Sequence, residues 1–155
     1  MHRLLYKTVS IFLVLLIACV SLPFAAADEV SAGDPLSFYQ WYLQSPGLSL
    51  NAPDAWSLLS GGRDEAVVAV IDTGINVNHE DLKNVLWTNP GNLGLPGEHG
   101  FNTQENNSVL TDLEGHGTHC AGIIAAQSGN GAGIAGVASA ANVKIMMVAT
   151  NHSYP

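Results

Sequence analysis

"EAVVAVIDTG", Glu65 to Gly74, is the stretch that decides the fold. Six apolar residues run unbroken from Ala66 to Ile71 and stop at a carboxylate, Asp72, followed by a Thr73-Gly74 turn. A run without polar alternation suits a strand buried on both faces, as in a parallel sheet. Open parallel sheets take their ligands just past the carboxyl ends of their strands, so Asp72 is a candidate functional residue.

The elements around this strand agree with that reading. Upstream, "NAPDAWSLLSG" from Asn51 predicts a short helix, with Asn51 as cap, Pro53 in the first turn and Gly61-Gly62 as the stop. Residues 28–50, rich in Pro, Ser and Gly, read as an irregular N-terminal arm that packs through Phe38, Tyr39, Trp41 and Tyr42. Downstream comes the acidic segment "NHEDLKN", then a loop from Asn89 to Asp112 dense in Gly, Pro and Asn. A loop of that length is usually functional or loosely held. A helix is predicted over Gly117–Ala126, then a glycine-rich turn, "QSGNGAGIAG", and a second apolar strand, "NVKIMMVA". Strand, helix and strand in this order predict an α/β domain over residues 51–155, its parallel sheet flanked by helices on both faces.

Residues 1–27 stand apart. His2, Arg3 and Lys7 precede an apolar run from Val9 to Val20, and Ala25-Ala26-Ala27 offers a small-residue cleavage site, the pattern of a secretory signal peptide. Leu16-Ile17-Ala18-Cys19 loosely matches a lipoprotein box, so a chain anchored at Cys19 is the alternative to a secreted one. Beyond the leader no membrane association is expected. The formal net charge of −8 falls to −10 once Arg3 and Lys7 are removed, which argues against nucleic acid and anionic membranes and favours solubility or cation binding. Cys120 is the one cysteine outside the leader, so no internal disulfide forms. The chain is expected to be monomeric.

The second informative stretch is "EGHGTHCAGIIAA", Glu114 to Ala126. It sets His116 between two glycines at the mouth of a small-residue helix. A carboxylate at a strand end and an imidazole at a helix start meet if the two elements pack side by side. Asp72 then fixes the ring tautomer, and His116 acts as a general base. The positive end of the helix dipole predicts a neutral resting ring. Two other readings weigh less. "DTG" also opens the active-site loop of aspartic proteases, but there a Ser or Thr follows the glycine within an all-β setting, and here Ile75 follows. His116 and His119, at i and i+3, could share a metal, but no third ligand of matching spacing follows.

Together, "VVAVIDTGIN", "HEDL", "GHGTHCAGI", "GIAGVA" and "VKIM" resemble the amino-terminal part of a subtilisin-like serine protease, the subtilase family, and cover about Asp34 to Met146. The cysteine in "HGTHCAG" is most similar to the thermitase and proteinase K branch. The resemblance implies a Ser-His-Asp endopeptidase with Asp72 and His116 as two of its three catalytic residues. It makes His119 a packed structural residue and Cys120 a buried thiol. It also implies a structural Ca²⁺ site. Asp34, Asp81 and the Asn130 side chain would be its ligands, with the carbonyls of Gln127, Ala132 and Ile134, an oxygen-rich set suited to calcium.

The family's Gly-Thr-Ser-Met-Ala block, which carries the nucleophile, does not occur in these residues, and Ser128, Ser139 and Ser153 lack its strand-to-helix context. Nor is there room for a folding prodomain between Ala27 and Asp34. The expectation is therefore a truncated subtilase, inactive alone, whose full-length relative acts on polypeptides. The alternative is a non-catalytic, calcium-stabilised binding or decoy module. Asn106-Asn107-Ser108 and Asn151-His152-Ser153 form glycosylation sequons.

Overall fold

Three parallel strands organise the fold: β1 (Ala66–Asp72), β2 (Gly100–Asn102) and β3 (Val143–Ala149), in the spatial order β1-β3-β2. The computed structural model describes residues 33–44, 47, 49–59 and 64–150. The signal peptide, Cys19, Gly61-Gly62, Ser153 and the second sequon lie outside them. Two short helices, α1 (Trp41–Gln44) and α2 (Ala52–Ser57), precede the sheet, and α3 (His116–Ala125) crosses one of its faces. No helix among the described residues is long and apolar enough to cross a membrane.

β3 sits at the centre, and its residues are apolar on both faces apart from Lys144, whose ammonium donates to the Asn84 carbonyl. Ile145, Met147 and Ala149 are fully buried beneath α3. Their partners across the β1–β3 ladder are Val68, Val70 and Asp72, so register places Asp72 on the core face. Ala121 and Ala125 of α3 complete this core with Leu82, Leu86 and Leu110. Small helix residues bring α3 close to the sheet.

Among the described residues β1 is not covered on both faces. Its pattern alternates, with Val70 buried while Val67 and Ile71 on the opposite face are 45% and 70% exposed. Among the described residues α3 is the helix that packs on the sheet, and it lies on the other side. An unbroken apolar run does not distinguish a strand covered twice from one covered once.

The loop from Asn89 to Asp112 is also more ordered than its composition suggests. Gly100, Phe101 and Asn102 pair with Met147, Val148 and Ala149 to form β2. Asn102 is fully buried; its amide donates to the Val109 carbonyl and its oxygen accepts from the Gln104 and Glu105 amides. A turn closed by one asparagine takes the place of apolar packing.

The arm is held by polar contacts, by Leu43 and by one of its rings, Tyr42, which packs against the small core of Leu43, Ala52 and Ala135. Gln40 exchanges two hydrogen bonds with the Ala135 backbone at 2.7 and 2.9 Å, and Leu43 is buried. Phe38, Tyr39 and Trp41 are all more than 60% exposed. Asn51 makes no side-chain cap; its amide donates to Asp54 instead.

Candidate active site

Parity and packing bring Asp72 and His116 together. The Asp72 side chain leaves β1 on the face that α3 covers, and α3 begins at His116. His116 Nδ1 lies 2.7 Å from Asp72 Oδ1, and the Thr73 amide donates to the same oxygen at 2.7 Å. The carboxylate is largely enclosed and the ring open, with side-chain exposures of 15% and 65%. With Nδ1 facing the carboxylate, Nε2 is the nitrogen able to take a proton from a hydroxyl.

Gly117 makes this approach possible. A Cβ at that position would run into the Gly74 carbonyl and come within 3.1 Å of the Asp72 Cβ. Only a residue without a side chain lets the first turn of α3 settle on the strand end.

Burial works against the charged form of Asp72. The His116 hydrogen bond, the Thr73 amide and the ring's charge outweigh it, so the carboxyl pKa falls below its ordinary value. The hydrogen bond to Asp72, and then the charge of Asp72, raise the His116 pKa, with smaller support from Asp112 and Glu114. The Asp72 carboxylate therefore shifts the ring in the direction opposite to that expected from the helix terminus. A full carboxylate charge at hydrogen-bond distance exceeds the half charge of a helix end.

The sequence reading passed over Asp112. Its Oδ1 accepts from the Thr73 hydroxyl (2.9 Å) and the Gly115 amide (2.8 Å), with a longer contact from the Glu114 amide. Its Oδ2 accepts from the Thr118 amide (2.8 Å) and hydroxyl (2.6 Å). Burial opposes ionisation of Asp112, but these donors outweigh it and lower its pKa. The position, four residues before His116 in "DLEGH", carries the signal of a helix-start carboxylate.

The neighbouring candidates fare differently. His119 is exposed rather than packed, on the rim of a crevice of about 450 Å³ shared with Leu36, Leu82 and Ile134. Cys120 is half-buried, with Sγ 3.8 Å from His116 Nδ1; burial and then the charge of Asp72 raise its pKa, which keeps the thiol protonated. Asp72, His116 and Cys120 place their ligand atoms within 4.8 Å of one another, and His119 is not part of that group. Ser139 has a buried hydroxyl without a partner, and no serine among the described residues hydrogen-bonds His116.

A second cluster joins the arm, the segment after β1 and the turn after α3. Asp34 and Asp81 are only 4% and 3% exposed. Asp34 accepts from the Gly129 and Asn130 amides, and Asp81 from the Ile134 amide and the Asn130 side chain. The Gln127 amide donates to the Asp81 carbonyl, and the Asn130 oxygen accepts from the Ala132 amide. Hydrogen bonds thus link all six residues expected as calcium ligands, but Gln127, Ala132 and Ile134 take part through their amide N–H groups rather than the expected carbonyls. Gly133, with φ of +44°, has its face against Asp81, where a Cβ would meet the carboxylate. Among the described residues no lysine or arginine pairs with either acid.

A model of the subtilase family (peptidase S8) matches residues 63–154. Thermitase of Thermoactinomyces vulgaris is 37% identical over 102 residues, which cover 66% of this chain and 32% of thermitase. The major intracellular serine protease of Bacillus subtilis is 39% identical over 64% of this chain and 28% of its own length. Kexin of Saccharomyces cerevisiae is 36% identical over 77% of this chain and 14% of kexin. Among solved structures, a protease from Pseudoalteromonas arctica matches with a TM-score of 0.55 and 27% identity, over 78% of this chain and 39% of that one. The chain thus spans about a third or less of the length of these curated relatives. The fold, the paired motifs and the family match agree: the chain belongs to the subtilase family.

Proposed function

We propose that this chain carries the aspartate–histidine half of a serine endopeptidase site. The observation behind this reading is the 2.7 Å bond between Asp72 Oδ1 and His116 Nδ1 at a strand–helix junction. In that chemistry His116 Nε2 takes the proton of a serine hydroxyl as its oxygen attacks the peptide carbonyl carbon. The same proton then passes to the leaving amine as the C–N bond breaks, and Asp72 stabilises the imidazolium in between. No Gly-Thr-Ser-Met-Ala block occurs in these 155 residues, so by themselves they are not expected to cleave peptides. Residues 1–27 fit an export leader, and polypeptides are the substrate class of the complete site.

The test is a comparison of the purified chain with a version extended by a subtilase segment bearing Gly-Thr-Ser-Met-Ala. The chain alone should leave a chromogenic peptide intact and a fluorophosphonate probe unattached. The extended form should turn over, and its His116→Ala variant should not. Turnover that survives His116→Ala overturns the assignment.

The Asp34–Asp81–Asn130 clasp fits a structural Ca²⁺ ion. Among the described residues these two buried carboxylates have no cationic partner, a costly arrangement that a hard cation would offset. Asp34, Asp81, Asn130 and the carbonyls of Gln127, Ala132 and Ile134 would hold it, with the Asn130 amide turned to present its oxygen. The ion would tie the arm to the domain and take no part in proton transfer.

A further inference from the structure

We infer that Asp112 is a positioning residue that holds the Asp72–His116 pair in register by clamping the end of β1 to the start of α3. The inference rests on the pairing proposed above and adds to it the group that maintains the geometry. Asp72 and His116 lie on different elements, and their 2.7 Å bond joins one largely enclosed side chain to one that is largely exposed. A bond this open does not fix two elements by itself.

Asp112 does so from behind. Through Oδ1 it takes the hydroxyl of Thr73, the residue directly after Asp72. Through Oδ2 it takes the amide and hydroxyl of Thr118, two residues after His116. The loop closes on itself, because the Thr73 oxygen accepts the Gly117 amide at 3.0 Å. Two backbone donors in the first turn of α3 are thereby satisfied by Asp112 and Thr73, neither of them part of the helix. This differs from an ordinary cap, where the residue at the helix boundary does the work; here that residue is Gly115, which has no side chain. The consequence is geometric. Any sliding of α3 along β1 breaks the Asp112 contacts and the Asp72–His116 bond together.

The experiment uses the 155-residue chain with ¹⁵N-labelled histidine and follows the low-field Nδ1 proton of His116. Asp112→Asn puts an NH₂ against the Thr118 amide and should abolish that signal while the amide spectrum elsewhere stays dispersed. Thr73→Val removes the other end of the clamp and should do the same. Glu114→Gln is the control: Glu114 also adds charge near the ring but makes no bond to Thr73 or Thr118, so the signal should persist. A merely structural cap would lower the urea midpoint of Asp112→Asn yet leave the Nδ1 signal intact in the folded protein, and that result overturns the inference. If Asp112→Asn does not fold, Thr73→Val decides, loss supporting and retention refuting. A wild-type chain without the signal at any pH removes the Asp72–His116 pairing itself, and this inference with it.

Discussion

The bond between Asp72 and His116 makes their titrations a property of the pair. The His116 pKa is raised in the folded state, so its stabilising contribution is complete below the unfolded value and disappears as pH rises through the folded one. The Asp72 pKa is lowered, so its contribution is present above the unfolded carboxyl value and is lost as pH falls through the folded one. The pair therefore supports the fold most between the unfolded-state values of the carboxyl and the imidazole, and its support fades outside them toward the two folded-state values, while proton acceptance by the ring needs pH above the folded His116 value. Asp72→Asn should lower the His116 titration midpoint in an NMR pH series; an unchanged midpoint would show that the carboxylate does not govern the ring. At Gly117 the constraint is steric. Gly117→Ala should destabilise the fold by about 1–3 kcal/mol in urea unfolding, because the added methyl meets the backbone of Gly74. Both motif residues were legible in sequence, since strand-end carboxylates and glycine-flanked histidines carry local signals. Asp112 was missed because its partners, Thr73 and Thr118, come from two separate elements.

Among the elements, the sheet carries the packing unevenly. Ile145 on β3 is fully buried, so Ile145→Ala should cost about 2–5 kcal/mol by urea denaturation. Ile71, one residue before the candidate catalytic aspartate, is 70% exposed, and Ile71→Lys should change stability by no more than about 0.5 kcal/mol. A large loss there would mean that something covers the open face of β1. The contrast explains why β1 and β3 were readable and β2 was not. Apolar runs announce the first two. The three residues of β2, Gly100-Phe101-Asn102, become a strand because β3 offers them a ladder. Its pairing energy lies in long-range contacts that no local window contains.

For the molecule as a whole, charge and cation binding belong together. A chain with a formal net charge of −8 that buries Asp34 and Asp81, both bonded to the turn after α3, should gain stability from calcium. At free Ca²⁺ a hundredfold above its dissociation constant the gain is about 2.7 kcal/mol. EDTA should therefore lower the Tm of the purified chain, added Ca²⁺ should restore it, and Asp81→Asn should abolish the response. Equal midpoints with and without EDTA in the wild type would remove the site. The sequence by itself determined β1, β3, α2 and α3, the family, and the identity of the paired carboxylate and imidazole, because these rest on local periodicity and on contiguous motifs. Tertiary structure alone decided which face of β1 is covered, how the arm is anchored, that β2 exists, and that His116 gains basicity. Each of these depends on how residues distant in the chain are placed in space: a one-residue change in strand register would turn Asp72 away from α3, and only the packed structure excludes it.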